Sequence, residues 1–179
     1  STTFYFPHFH QDASWQTFIA IANPNDAAAS VTLTFYSNDG VLAATRSLNV
    51  GPRCKVGYLL SGLGITGTGW IKVESSLPVV GLLNFDDYAN RMGSMSGVTP
   101  AAQIYFPHFH QDPSWQTYYA IVNPSDASAS ITITYFGDDG SVAGTESLTL
   151  NPRSKIGRFA VSGSGWIAVQ SDTPIVGML

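Results

Sequence analysis

Two consecutive stretches, SVTLTFY at Ser30–Tyr36 and SNDG at Ser37–Gly40, decide the fold. Val31, Leu33 and Phe35 alternate with threonines, which is the period-two pattern of a half-buried antiparallel strand. The Asp-Gly pair that follows is a strong signal for a tight hairpin turn. The two stretches therefore predict a strand, a turn and a returning strand.

The same pattern occurs a second time, at an offset of 100 residues along the chain. Residues 1–58 align with residues 101–158 without a gap, and about half of the aligned positions are identical. The heptapeptide FPHFHQD, at residues 6–12, recurs letter for letter at residues 106–112. Internal repetition of this length indicates a duplicated structural unit.

Both copies consist of short alternating segments separated by turn residues, and neither shows a sustained helical period. The sequence predicts an all-β protein of two tandem antiparallel β-sandwich domains of immunoglobulin-like size. We place the first domain at residues 1–83, a connector at 84–100 and the second domain at 101–179. The second copy is four residues shorter where the first has a glycine-rich segment at 61–69, which we interpret as a surface loop.

Composition excludes several classes of function. The net charge is -4, the pI is about 5.3 and only 11% of residues are charged, so a nucleic-acid partner is not expected. No apolar run reaches the length of a membrane span. Cys54 is the single cysteine and cannot form an internal disulfide. Because the chain starts at serine and stops within an apolar run, we interpret it as a mature or trimmed part of a longer protein.

The order of motifs carries a family resemblance. Trp-x-Thr, Asn, the Thr-alternating strand, Asp-Gly, Pro-Arg and Gly-Trp-Ile are followed by a Ser-x-x-Pro strand at Ser75–Val80 and Ser171–Val176. This order resembles the β-sandwich family of the sensory rhodopsin transducer. The resemblance implies a sandwich fold, oligomerisation and a binding role, and the family's photoreceptor partner is not carried over.

The arrangement Phe-Pro-His, Trp-x-Thr, Asn-Pro is also similar to repeats in exported bacterial proteins of mostly unknown function. That second resemblance implies an extracellular, periplasmic or cell-surface location.

The heptapeptide is a candidate metal site. In an extended chain His8 and His10 share a face, and Asp12 could supply a third ligand. Two imidazoles and a carboxylate suit Zn²⁺ or another divalent metal. The alternative is a structural entry strand, because Asp12 and Ser14 form a turn signal that would take the carboxylate away from the histidines. The equivalent residues of the second copy are His108, His110 and Asp112.

Four further residues are candidates for ligand binding. Trp15 and Trp115 could stack on sugar rings, although core packing is the more common use of tryptophan beside a strand. Arg53 and Arg153 could bind a carboxylate, although pairing with a nearby acidic group is the simpler interpretation.

Catalytic motifs are lacking in the sequence: it has neither a nucleophile elbow nor a Walker-type phosphate loop. We therefore expect a non-enzymatic structural or binding module without a required cofactor, with metal or carbohydrate binding as the alternative. If the connector packs on the first copy, the apolar edge at residues 175–179 lacks an equivalent cover. We then expect that edge to pair with a neighbouring repeat or a second copy.

Overall fold

The computed structural model describes residues 1–89 and 91–179. The chain divides into two compact units, Ser1–Thr99 and Pro100–Leu179. Residues 84–99, which the sequence analysis sets apart as a connector, therefore belong to the first unit. No helix in the described part of the chain is long and apolar enough to cross a membrane.

The first unit is a sandwich of two antiparallel sheets. One sheet has the strand order β1-β6-β3-β4 and the other the order β5-β2-β7-β8. A short 3₁₀ helix, Leu60–Leu63, lies between β5 and β6. The strands are β1 (Thr3–Gln11), β2 (Gln16–Ala22), β3 (Ala29–Ser37), β4 (Leu42–Val50), β5 (Lys55–Leu59), β6 (Gly67–Ser75), β7 (Val80–Asp86) and β8 (Met92–Ser96).

The second unit repeats this arrangement with one long strand in place of β6 and β7. Strand β14 pairs with β11 through Gly165–Ser171, with β9 between Gly163 and Ile175, and with β10 through Val176–Met178. It therefore takes part in both layers of the unit. The strands are β9 (Ala101–Gln111), β10 (Tyr118–Val122), β11 (Ala129–Gly137), β12 (Val142–Leu150), β13 (Lys155–Phe159) and β14 (Gly163–Met178).

The all-β sandwich prediction is confirmed. Val31, Leu33 and Phe35 of β3 are almost completely buried, as their alternation predicts, and each unit has its own buried apolar cluster. The strand order refines the immunoglobulin-like part of the prediction. In an immunoglobulin domain the first strand lies beside the second and the last beside the sixth. Here β1 lies beside β6 and β7 beside β2, so the terminal strands exchange sheets.

The repeated Gly-Trp-Ile motif fixes the contact between β3 and β6. A Cβ atom at Gly69 would lie 1.8 Å from the backbone oxygen of Tyr36, so only glycine fits there. This close approach lets the Trp70 ring stack on the Tyr36 ring at a centroid distance of 4.3 Å. Trp166 and Phe136 repeat the stack at 4.1 Å in the second unit.

The glycine-rich segment is not simply a surface loop. It forms the 3₁₀ helix Leu60–Leu63, and the Leu60 and Ile65 side chains are 0% and 3% exposed in the first core. The glycines of this segment predicted a loop. The burial of the Leu60 and Ile65 side chains instead holds the segment against the core. The segment therefore covers part of the first core beside the edge strand β4.

Replacing Gly69 by alanine tests this packing. Because the added methyl group meets a backbone oxygen that cannot move away, Gly69→Ala should lower the free energy of unfolding of the first unit by about 1–3 kcal/mol. Gly62→Ala is the matched control, since a Cβ there meets nothing within 4 Å. Urea denaturation followed by circular dichroism measures both, and equal stability of the two variants would contradict the prediction.

Candidate functional site

A bulge in β1 sets the direction of the histidines. Phe6 pairs with Ile71 but Phe9 pairs with Gly69, so β1 has one residue more than its partner between these positions. Phe6 and Phe9 are three positions apart, a spacing that in a regular strand would place them on opposite faces, and the bulge keeps both of them buried. His8 belongs to the bulge and His10 lies beyond it.

Asp12 holds a histidine and a turn at the same time. Its Oδ2 atom lies 2.8 Å from His10 Nε2, while its Oδ1 atom accepts hydrogen bonds from the amides of Ser14 and Trp15 at 2.7 and 2.8 Å. The equivalent distance from Asp112 to His110 in the second unit is 2.9 Å. The expectation that the turn takes the aspartate away from the histidines is therefore wrong, because the two carboxylate oxygens act separately.

Gln11 and Thr17 complete the turn, and the sequence analysis did not single them out. The Thr17 hydroxyl accepts a hydrogen bond from the His10 amide and donates one to the His10 carbonyl, at 3.0 and 2.6 Å. The Gln11 side-chain oxygen accepts one from the Thr17 amide at 3.0 Å. Identical bonds recur in the second unit. The sequence signal for their role was that glutamine and threonine occupy these positions in both copies of the motif.

The repeated Asn-Pro pair also has a structural role in each copy. The Asn23 side-chain amide is buried and donates to the carbonyl oxygens of Ala27, Val50 and Gly51 at 2.8–3.0 Å. Asn123 makes the equivalent bonds. This repeated asparagine is therefore a structural residue that ties three loop carbonyls together.

His8 and His10 do not converge on one point. Their ring centroids are 6.4 Å apart and the ring planes are nearly perpendicular. The buried His8 ring packs against Phe85 at 5.0 Å, whereas His108 is exposed. Among residues 1–89 and 91–179, no three His, Cys, Asp or Glu side chains form a group that could hold a metal ion. The geometry gives the metal hypothesis no support beyond the His10–Asp12 and His110–Asp112 pairs.

The two candidate tryptophans have different surroundings. The Trp15 ring stacks on His10 at 5.6 Å, and the Arg91 guanidinium lies 5.6 Å from its centroid. Trp115 is 62% exposed, and within the described residues it has no aromatic or cationic neighbour of this kind. Trp15 is therefore part of a packed cluster, and Trp115 is the tryptophan with an accessible ring.

Each candidate arginine is engaged with an aspartate. Arg53 pairs with Asp26, and Arg153 Nε lies 2.6 Å from Asp126 Oδ1. Both arginines have a positive φ, of 53° and 56°, at the turn after proline. The acidic pairing is the simpler of the two uses considered from the sequence.

Hydrogen bonding lowers the pKa of both turn aspartates. For Asp112 the largest cause is the His110 side chain, followed by the Ser114 hydroxyl and amide. For Asp12 the largest cause is the Ser14 amide, and the His10 side chain comes second. The lowered pKa stabilises the folded state above the ordinary value of 3.8, and this contribution is lost as the pH falls below it.

Removing the imidazole tests this origin of the shift. His110→Phe should raise the pKa of Asp112 toward its ordinary value, because the largest cause is removed while the backbone bonds remain. His108→Phe, which changes the exposed histidine of the same strand, should leave it unchanged. Carbon NMR titration of the aspartate carboxyl group reports both, and an unshifted pKa in His110→Phe would contradict the assignment.

Comparisons with known proteins find a partial match to one family model and similar solved structures. Residues 1–73 match a family of unknown function (DUF5719). The crystal structure of Thermotoga maritima 1070 is 23% identical, has a TM-score of 0.48, and covers 54% of this chain and 92% of that chain.

The Anabaena sensory rhodopsin transducer is 19% identical, has a TM-score of 0.38, and covers 44% of this chain and 93% of that chain. It belongs to the family whose resemblance the sequence motifs indicate. No curated protein matches the chain. The Phe-Pro-His repeats of exported proteins remain a prediction.

Proposed function

We propose that the chain is a non-enzymatic structural or binding module that associates through the open strand edge of its second unit. We further propose that it acts in an exported or cell-surface protein of a bacterium, as its repeat motifs indicate. The repeated polar residues support a structural role. Asp12, Thr17 and Asn23 bond to the backbone of turns in the way their counterparts do, and such bonds stabilise a fold.

The observation that carries the proposal is the way the first unit pairs the strand edge that corresponds to residues 177–179. In the first unit β2 pairs with β7 as far as Gln16–Asp86, and β8 then covers β7 from Leu82 to Asp86. In the second unit β14 pairs with β10 at Val176–Met178, and among the described residues no strand pairs with the other side of this segment.

The open edge presents backbone groups that a strand can bind. In the first unit the Gly97 amide donates to the Gly81 carbonyl at 3.2 Å, and Gly81 is the counterpart of Gly177. Successive residues of a strand point their backbone groups to opposite sides, so Gly177 and Leu179 direct theirs away from β10. An added strand would complete the hydrogen bonding of this edge, which is the mode of association by β-augmentation.

A second copy of the chain is the occupant we propose. Its own β14 ends in the same apolar residues, and Met178 is partly exposed while Leu179 is 43% exposed. Two such edges can pair antiparallel about a two-fold axis, which is the symmetry of most homodimers. Pairing would remove these apolar side chains from water while satisfying the backbone of both edges.

A proline at the last residue tests this association. Light scattering of the 179-residue chain should show dimers forming as the concentration rises. Leu179→Pro removes an outward amide and should keep the chain monomeric, whereas Leu179→Ala retains the amide and should still dimerise. A wild-type chain that stays monomeric at its highest soluble concentration, or a proline variant that dimerises equally, would contradict the proposal.

Carbohydrate binding is the second candidate function, and the exposed Trp115 ring is the observation that favours it. An accessible indole can stack on the apolar face of a sugar ring. Titration of a glycan array with the wild-type chain and with Trp115→Ala tests it. Binding that is lost only in Trp115→Ala would support this function, and equal binding by the two chains would exclude Trp115 as the site.

A further inference from the structure

The second unit contains a cleft-like cavity, open to solvent, between β12 and β13, and the first unit fills the equivalent place. The cavity has a volume of about 290 Å³. It lies between the middle of β12 and the segment that follows β13. Its lining residues are Tyr135, Gly144, Thr145, Glu146, Arg158, Phe159 and Val161.

The 3₁₀ helix fills the equivalent place in the first unit. Arg46, the counterpart of Glu146, donates from Nε to the Leu63 carbonyl at 2.7 Å. Leu63 and Ala44, the counterpart of Gly144, both pack against the first core. The second copy is four residues shorter in this segment and has Ala160 in place of Leu60. The shorter segment leaves the cavity.

Four positions around this place change together between the copies. In the first unit these positions hold two apolar residues, an arginine and a tyrosine. In the second unit they hold two tyrosines, a glutamate and an arginine. The pairs are Ile19 and Tyr119, Phe35 and Tyr135, Arg46 and Glu146, and Tyr58 and Arg158.

The four residues of the second unit form one network. The hydroxyl groups of Tyr119 and Tyr135 are 2.6 Å apart, and each lies 3.2 Å from Glu146 Oε1. Arg158 donates from Nη1 to Glu146 Oε2. The two tyrosines are 0% and 4% exposed, and burial raises the pKa of both hydroxyl groups. They are therefore neutral donors held beneath the carboxylate.

Stability alone does not explain the network. The first unit fills the two tyrosine positions with Ile19 and Phe35, which are 1% and 0% exposed and need no hydrogen bonds. Buried hydroxyls and a partly buried ion pair often contribute no more stability than well-packed apolar residues. The two hydroxyl protons can make only two of the three contacts among Tyr119, Tyr135 and Glu146 at one time. A polar network beside an unfilled cavity is the arrangement of a ligand site.

We propose that this cavity binds a neutral, polyhydroxylated ligand of the size of one sugar ring. Glu146 and Arg158 cancel each other's charge, so the site favours neither an anion nor a cation. The carboxylate accepts hydrogen bonds and the guanidinium donates them, and a hydroxyl group can do both. Phe159 is 57% exposed and offers an apolar face to the carbon side of the ring. The volume of about 290 Å³ lies just below the range of about 300–1,000 Å³ that is usual for small-molecule pockets, which limits the ligand to a single ring.

An NMR titration of the 179-residue chain tests the proposal. The probes are the methyl glycosides of glucose, galactose and mannose, with benzoate and benzylamine as charged ring-sized probes. At least one glycoside should shift the amide resonances of residues 144–146 and 158–161. Glu146→Gln should weaken that binding by about tenfold to a hundredfold, because it removes a charged acceptor. Asp126→Asn is the matched control, since it removes a carboxylate from an exposed ion pair of the same unit.

A loop graft keeps the proposal falsifiable if Glu146→Gln unfolds. Replacing residues 160–165 by the sequence of residues 60–69 restores the plug and should abolish the shifts while circular dichroism stays that of a β protein. Three results would overturn the proposal. They are binding by benzoate or benzylamine alone, binding by no probe in the millimolar range, and glycoside binding that Trp115→Ala removes but Glu146→Gln does not.

Discussion

The hydrogen bonds between the second strand and the last long strand of each unit complete the sandwich. Because β1 pairs with β6, it does not lie beside β2. The strands that pair with β2 are β5 and β7, and both follow it in the sequence. In the first unit the pairing of β2 with β7 runs from Ala22 to Gln16 and brings Phe85 against His8. The surroundings of the repeated motif in the first unit therefore depend on this strand pairing.

Much of the fold could be predicted because its signals are local. The alternation at Val31–Phe35 and the Asp39–Gly40 turn depend on neighbouring residues, and the structure has β3, the turn and β4 where they predict them. The exchange of terminal strands could not be predicted. Alternation shows which face of a strand is buried, but it carries no information about which strand lies alongside.

The site was harder to predict than the fold for two physical reasons. A carboxylate has two oxygens, so the turn at Asp12 and the bond to His10 do not exclude each other. The network at Glu146 joins four strands, and no short motif contains its members. Its signal is a comparison of the copies, in which Ile19, Phe35, Arg46 and Tyr58 are all replaced by residues that hydrogen-bond to one another.

The 3₁₀ helix between β5 and β6 has a consequence for how the duplicated gene could diverge. A chain with one domain must keep its hydrophobic plug, because a hole at the end of its only core threatens folding. A chain with two domains can retain the plug in one copy, and selection on the other is then relaxed. A deletion of a few codons would then be enough to open a cleft at this place. A new binding site can arise in this way by the loss of residues from an existing fold.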